Sequence, residues 1–264
     1  MIRLEHCTKY FHKGSVNEVL ALDDISLDIA EGDFVTIIGS NGAGKSTLLN
    51  GLAGSFMLDR GRVIADDNDV TGWPEYRRAK FIARVFQDPL LGTCPSATIE
   101  QNLALAARRG KRRGFRPGVR HRERHWFREE LGKLGLGLEN RLQDLVGLLS
   151  GGQRQALTML MATLVRPKVL LLDEHIAALD PKTAEQILQL TREIVEGQGL
   201  TSLMITHNMR HAITFGNRLI MLHQGTVILD VRDAEKKGLT VEDLLEQFYL
   251  VQKEQLATDS MLLA

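Results

Sequence analysis

The sequence is short of cysteine, of net charge and of long apolar runs. Its 264 residues include two cysteines, Cys7 and Cys94, which argues against a disulfide framework or a clustered metal site and favours a reducing compartment. Both are expected to be small buried apolar side chains. Because lysine plus arginine and aspartate plus glutamate each number 33, no overall charge attracts nucleic acid or an anionic membrane.

No apolar run approaches the roughly 18 residues that a helix needs to cross a bilayer. The first six residues do not lead from a basic segment into an apolar stretch, so a signal peptide is not expected. Any membrane role must therefore come through a partner. The composition that remains, 44% hydrophobic and 25% charged, is typical of a globular protein that can bury a substantial core.

The order of apolar segments predicts an α/β fold. Strands are predicted at residues 2–8, 19–29, 33–38, 169–172, 201–206 and 218–223, and one more is predicted to end at residues 85–86. The later strands alternate with helical patterns, which is typical of a mostly parallel, doubly wound sheet, whereas the first two suit an antiparallel pair.

The predicted domain organisation is one large unit followed by a tail. Residues 90–165 have a mostly helical pattern and interrupt the α/β pattern, so they predict an inserted helical subdomain. The predicted parts are a single domain at 1–231, its core at 1–89 and 166–231, its helical subdomain at 90–165, and a C-terminal helical tail at 232–264 with an amphipathic helix near 240–252.

A glycine-rich loop follows the third predicted strand and matches the phosphate-binding pattern G-x-x-x-x-G-K-S. Glycines let backbone N–H groups approach phosphates, and the helix predicted to begin at Lys45 adds its partial positive charge. Lys45 is predicted to reach the β and γ phosphates, and Ser46 to ligate Mg²⁺. The predicted nucleotide-binding residues of this loop are Gly39, Ser40, Asn41, Gly42, Ala43, Gly44, Lys45, Ser46 and Thr47.

Two carboxylates stand at the end of the apolar strand at residues 169–172. Asp173 is predicted to hold Mg²⁺ through its water shell, and Glu174 to polarise the attacking water. Solvated acids at a strand end are the alternative. The phosphate-binding loop upstream favours the catalytic interpretation.

Residues 149–153 spell LSGGQ, a string expected by chance in roughly one of several thousand chains of this length. Ser150 and Gln153 also fit a capping box at a helix start, and the two interpretations are compatible. A serine and two glycines at a helix N-terminus make an anion site. Since the loop at residues 39–46 already holds one ATP, this second site can serve an ATP bound to another copy of the chain.

With these motifs in this order, residues 1–231 resemble the ATPase subunits of ABC (ATP-binding cassette) transporters. The resemblance implies ATP and Mg²⁺ as cofactors and a head-to-tail homodimer in which the signature residues face the partner's ATP. These signature residues are Ser150, Gly151, Gly152 and Gln153. It also implies an integral-membrane permease as partner, a peripheral location on the cytoplasmic face of the inner membrane, and no direct nucleic acid partner.

Further positions match the family one by one. By resemblance, Gln87 is the Q-loop glutamine that meets Mg²⁺ and water, and His207 is the histidine that contacts the γ-phosphate. Asp180 matches the D-loop and is also a good helix N-cap. Phe11, with Tyr10 as second choice, would stack on adenine. The resulting predicted catalytic residues are Glu174, His207, Gln87 and Lys45, and the predicted metal ligands are Ser46, Gln87 and Asp173.

Two features depart from the family or are not explained by it. His175 stands where the family often has proline, and is interpreted either as a tolerated substitution or as a group that titrates near neutrality beside the base. The basic stretch at residues 108–124 is interpreted as a solvated loop, with acidic partner loops, anionic headgroups or nucleic acid as alternatives.

The leading functional hypothesis is the motor of a transporter that imports a solute. Residues 92–103 and 173–180 are similar to ATPases of a bacterial uptake group that works with an extracytoplasmic binding protein and is often labelled for aromatic amino acids. The permease helices are expected in a groove between core and helical subdomain, near Gln87. Alternatives are a cassette for lipid or lipoprotein extraction or export, and a soluble ATPase acting on nucleic acid, which a single cassette disfavours.

Overall fold

The computed structural model describes residues 1–111 and 118–262, without the side chains of residues 252 and 254–262. The strands are β1 Ile2–Phe11, β2 Val19–Ile29, β3 Phe34–Gly39, β4 Arg60–Ala65, β5 Asn68–Asp69, β6 Ile82–Val85, β7 Val169–Asp173, β8 Thr201–Ile205, β9 Arg218–His223 and β10 Thr226–Arg232. The helices are α1 Lys45–Ala53, α2 Glu75–Arg78, α3 Ile99–Ala106, α4 His121–Gly132, α5 Gly151–Thr163, α6 Pro181–Gln198, α7 Met209–Thr214, α8 Asp233–Lys237 and α9 Val241–Leu262. Short 3-10 turns lie at Leu138–Asn140 and Val146–Leu148.

A six-stranded sheet with the order β10-β9-β3-β8-β7-β6 forms the centre of the molecule. Its strands are parallel except for β10, which runs antiparallel to β9. All five residues of β7 are buried, because helices cover both faces of a parallel sheet. The predicted α/β fold with a mostly parallel sheet is confirmed. The carboxyl ends of β3, β6, β7 and β8 meet at one edge, which is where polar loops follow each strand.

The first two strands lie in a separate four-stranded antiparallel sheet with the order β2-β1-β4-β5. Its apolar face contributes Ile2 and Leu22, both fully buried, to the same core cluster as Leu48 of α1 and Ile37 of β3. This packing brings the ends of β1 and β2 next to the loop between β3 and α1. It therefore forms one wall of the candidate site.

Residues 99–163 carry α3, α4 and α5 around a second apolar cluster that includes Leu103, Phe127, Leu131 and Leu157. The predicted capping box that begins α3 is present: Thr98 accepts from the backbone of Gln101, whose side chain accepts from the backbone of Thr98. The chain then returns through α5, which packs on β6 and on α6.

The segment after β10 packs on the large sheet. Leu244 of α9 is fully buried with Ile38 and Leu219. Lys236 of α8 is 1% exposed, and its ammonium donates to the carbonyl of Gly216 at 3.1 Å and to carbonyls on either side of it. Burial lowers the pKa of Lys236 to about 8. The terminal helix runs to Leu262 and is longer than the predicted one. Of the helices that the structure describes, none combines the length and hydropathy needed to cross a membrane.

Candidate functional site

The loop between β3 and α1 wraps around the ammonium of Lys45. The Lys45 Nζ donates to the carbonyl oxygens of Gly39 and Ser40, each at 2.9 Å. Burial lowers the pKa of Lys45, and the nearby carboxylates of Glu174 and Asp173 oppose that shift. A cation at the centre of a loop whose backbone leads into a helix N-terminus is suited to phosphate binding.

At two positions of this loop, the backbone lies so close to neighbouring strands that only glycine fits. A Cβ at Gly39 would lie 2.3 Å from the carbonyl oxygen of Leu222, and a Cβ at Gly44 would lie 2.5 Å from that of Ala21. Gly44 also has φ of +95°, a conformation that side chains rarely adopt. These contacts seat the loop against β2 and β9.

A cavity of about 320 Å³ opens beside this loop, and we name it the nucleotide cavity. It unites most of the nucleotide-binding residues predicted from the sequence. Its lining is Phe11, Val19, Ala21, Asn41, Gly42, Ala43, Gly44, Lys45, Ser46, Thr47, Glu174 and His207. Tyr10, the second choice for adenine stacking, is absent from this lining and faces the ammonium of Lys13 at 4.9 Å.

The two carboxylates after β7 have different partners. Glu174 Oε1 lies 2.6 Å from His207 Nε2 at the end of β8, so the predicted base and the predicted γ-phosphate contact already touch. Asp173 points toward α1, where the Ser46 hydroxyl donates to Asp173 Oδ1 at 3.4 Å. Glu174 adopts φ of +45°, an unusual conformation for a residue with a side chain and one that is concentrated at functional sites.

The hydroxyl of Ser46 and the carboxylate of Asp173 fit Mg²⁺, which prefers oxygen ligands and completes its shell with water and substrate phosphates. Within the described parts of the chain, no group of three or more histidine, cysteine, aspartate or glutamate side chains could hold a metal. A metal held by Ser46 and Asp173 would complete its shell with water and nucleotide phosphate oxygens.

The remaining predicted residues lie outside the nucleotide cavity. Gln87 follows β6 and is exposed. Asp180 caps α6 by accepting from the backbone N–H of Thr183 at 3.1 Å. The capping box of the LSGGQ motif is present, since Ser150 and Gln153 exchange side-chain hydrogen bonds with each other's backbone at 3.2 and 3.3 Å. The exposed Ser150 thus stands at the N-terminus of α5.

Of the two interpretations of His175, a tolerated substitution and a group that titrates near neutrality, the second is wrong. His175 is 2% exposed, and its Nε2 lies 3.0 Å from Thr191 Oγ1 on α6. Burial disfavours the imidazolium and lowers the pKa of His175 to about 4. The side chain lies in the core between β7 and α6, whereas the neighbouring Glu174 lines the cavity.

One further expectation is wrong, and another holds for part of the described residues. Cys94 is exposed, whereas Cys7 is buried, because Asn102 holds the backbone of Cys94 on a surface loop through bonds at 2.8 and 3.0 Å. Part of the basic stretch, residues 112–117, lies outside the described residues. In the described part, Arg109 donates to the carbonyls at the end of α5, and Arg124 pairs with Glu100 at 2.8 Å. Arg109 is half-buried and ties the turn after α3 to α5, whereas Arg124 is exposed, as the interpretation of a solvated stretch predicts.

Two residues near the site, Arg84 and Thr183, were not predicted from the sequence. Arg84 pairs with Asp173 at 2.5 Å, and the only signal for it was a charged residue inside an otherwise apolar strand. Thr183 packs its methyl group where a side chain at Gly152 would lie. No sequence pattern indicates that contact, because it depends on how α5 and α6 pack.

We expect His175 to lower the free energy of unfolding as the pH falls, and to have no effect on the rate of ATP hydrolysis near neutral pH. Its folded-state pKa of about 4 lies below the ordinary 6.5, so between these values the unfolded chain binds the extra proton and stability falls as pH falls. Between about pH 7 and about pH 4.5 the wild type should lose about 2 kcal/mol more than His175→Gln. Urea unfolding of both proteins at both pH values measures this. Equal losses would contradict the assignment.

Residues 22–177 match the family described as "ABC transporter". The chain is 46% identical to the tyrosine transport ATP-binding protein of Clostridioides difficile (strain R20291), over 94% of this chain and 98% of that protein. It is 35% identical to the phosphonates import ATP-binding protein PhnC of Frankia casuarinae, over 87% of this chain and 89% of that one. The dimeric structure of a post-hydrolysis state of the ATP-binding cassette MJ0796, bound to ADP and Pi, has a TM-score of 0.75 and 32% identity, covering 88% and 98% of the two chains.

Proposed function

Because the chain belongs to the ABC transporter family of ATPases, we propose that it is the motor of an import system, in which two copies close on two MgATP and pull on a separate membrane permease. The observation that carries this proposal is the division of its motifs. Lys45, Ser46, Glu174 and His207 share the nucleotide cavity, whereas the LSGGQ motif lies at the N-terminus of α5, outside that cavity.

The residues of the cavity suit phosphoryl transfer to water. The loop and the N-terminus of α1 bind the phosphates, Lys45 neutralises their charge, and Phe11 supplies a face for adenine. Mg²⁺, held by Ser46 and Asp173, would add charge neutralisation of the phosphates. Glu174 accepts a proton from the attacking water, and the contact with His207 orients the carboxylate.

The second half of each site is proposed to come from another copy. Ser150 and the glycines that follow it present backbone N–H groups and a hydroxyl at a helix N-terminus, which is suited to an anion. A head-to-tail pair related by a two-fold axis would place this group over the partner's nucleotide twice. The cassette MJ0796, which shares the fold, has been solved as a dimer bound to ADP and Pi.

The permease is proposed to dock in a groove of about 290 Å³ that we name the docking groove. It lies between the sheet core and the helical subdomain, next to Gln87, and a membrane partner would place the chain at the cytoplasmic face of the inner membrane. Its lining is Ala53, Glu75, Ala79, Ile82, Ala83, Arg84, Phe86, Leu91, Gly92, Ala106, Arg109, Thr158, Met161 and Ala162.

Amino acids are the substrate class that we favour, with an extracytoplasmic binding protein as a further component. The similarity to the tyrosine transport protein spans almost all of both chains, and the phosphonates protein also belongs to an import system by its name. Purification of a membrane permease that binds this chain, followed by uptake of labelled tyrosine into proteoliposomes, tests this assignment.

A mixing experiment tests the shared site. Lys45→Ala disables the phosphate-binding half of a site, and Ser150→Ala disables the half lent to the partner. Each variant alone should be nearly inactive. In an equal mixture half of the dimers are mixed, and each mixed dimer has one intact site, so about a quarter of the wild-type ATPase rate should return. No recovery in a mixture shown to exchange subunits would contradict the proposal, as would full activity in a monomer.

A further inference from the structure

Arg84 joins three elements around the Asp173 carboxylate. It lies on β6, where it pairs with Leu171 of the neighbouring β7. Its Nη2 donates to Asp173 Oδ2 at 2.5 Å, and its Nη1 donates to Asn50 Oδ1 of α1 at 2.5 Å. One planar guanidinium therefore links β6, the end of β7 and the helix that begins at the phosphate-binding loop, a use to which arginine is suited and lysine is not.

The other side of the same guanidinium lies in the docking groove. Its central carbon is 4.6 Å from the centroid of the Phe86 ring, within the range of a cation–π contact. Arg84 and Phe86 both line the groove, and Gln87 follows Phe86 directly. A single side chain thus contacts the groove at one face and a candidate metal ligand at its tip.

The ion pair also competes with a metal for one carboxylate. The side chains of Arg84 and Asp173 are 13% and 12% exposed, so each charge needs the other or a replacement. The Arg84 Nε makes no hydrogen bond within the described residues although it is buried, so the side chain is not fully satisfied where it lies. The guanidinium of Arg84 can therefore move away from Asp173 when a metal binds the carboxylate or when the Phe86 ring is displaced.

We propose that Arg84 is a positioning residue that holds Asp173 when no metal is bound and links the docking groove to that carboxylate. Displacement of Phe86 by a groove occupant moves the guanidinium, frees the Asp173 oxygens, and so strengthens Mg²⁺ binding. The proposal rests on the proposed function in that the occupant is the permease. The contact with Asp173 does not depend on what the partner is.

Binding of ADP, measured by calorimetry in EDTA and in excess Mg²⁺, tests the competition on the isolated chain. The quantity compared is the dissociation constant of ADP in EDTA divided by that in excess Mg²⁺, and we name this ratio the Mg²⁺ advantage. Arg84→Met should raise the Mg²⁺ advantage about tenfold, because the competing cation is gone. Arg84→Lys keeps the charge without the fork and should raise it less, about threefold. Arg60→Met, at an exposed arginine of β4, should leave the ratio unchanged.

A purely structural Arg84 would give a different result. Arg84→Met would then lower the melting temperature while the ratio stayed within about twofold of the wild type, and this outcome would overturn the proposal. If Arg84→Met does not fold, the ratio measured for Arg84→Lys decides the question in the same way.

Phe86→Leu tests the link to the groove. It keeps an apolar side chain but removes the ring face under the guanidinium, and it should raise the Mg²⁺ advantage about threefold. A folded Phe86→Leu protein with an unchanged ratio would overturn the link. These measurements use ADP and no permease. A negative result here would overturn the role of Arg84 and leave the proposed import function standing, and a negative result in the uptake assay would not change the Mg²⁺ advantage.

Discussion

Replacing Glu174 with glutamine should slow ATP hydrolysis by about 10²–10⁴-fold while ATP still binds. Glutamine keeps the size of the side chain and can still contact His207, which lies 2.6 Å from Glu174 Oε1. It cannot accept the proton of the attacking water. Phosphate release under saturating MgATP measures the rate, and calorimetry with ATP measures binding.

The matched control for this variant is Glu185→Gln, at an exposed glutamate of α6, which should hydrolyse ATP at the wild-type rate. A Glu174→Gln protein that kept more than about a tenth of the rate would show that another group takes the proton. His207 would then be the residue to test, because it lines the same cavity.

Replacing Gly152 with alanine should lower hydrolysis about a hundredfold, because a displacement of about 1 Å in a positioned group has an effect of that size. A Cβ at this position would lie 2.2 Å from the Thr183 methyl group, so α5 must move away from α6. The exposed Ser150 at the start of α5 would move with it. ATPase rate and thermal melting of the variant measure both consequences.

The double variant Gly152→Ala with Thr183→Ser separates two explanations. Serine lacks the methyl group, and the next atom of Thr183, its Cβ, would lie 3.6 Å from the added methyl, an ordinary contact. Thr183→Ser alone should be close to wild type. Recovery of activity in the double variant would locate the effect in the packing of α5 on α6. Continued inactivity would support the proposed dimer, in which the glycine allows close approach to the partner's nucleotide.

The predictions that the structure confirms are those that depend on residues close together in the sequence. The helix that begins at Lys45 ends at Ala53 and is capped by Gly54, as a glycine-bounded pattern predicts. The capping boxes at Thr98 and Ser150 form as their spacing predicts. The resemblance to the ABC transporter family, drawn from the order of the motifs, is confirmed by the family match and by the relatives.

The interpretations that were wrong, titration of His175 and burial of Cys94, concern the surroundings of single residues. His175 is next to Glu174 in the chain yet faces Thr191 in the core, because the backbone turns sharply at the positive φ of Glu174. Cys94 has the chemistry of a buried residue but lies on a surface loop. Burial of a side chain depends on which elements pack over it, and a local pattern carries little of that information.

The sequence by itself determined the phosphate-binding loop, the paired carboxylates, the helix caps and the family, because each depends on residues within a few positions of one another. Only the tertiary structure decided that Glu174 touches His207, that Arg84 holds Asp173, and that Thr183 fills the space beside Gly152. These contacts join residues brought together by the strand order β3-β8-β7-β6 and by the packing of α5 on α6. The strand order is set by the need to bury the apolar faces of the sheet and of every helix together, so it depends on the whole chain and not on any local segment.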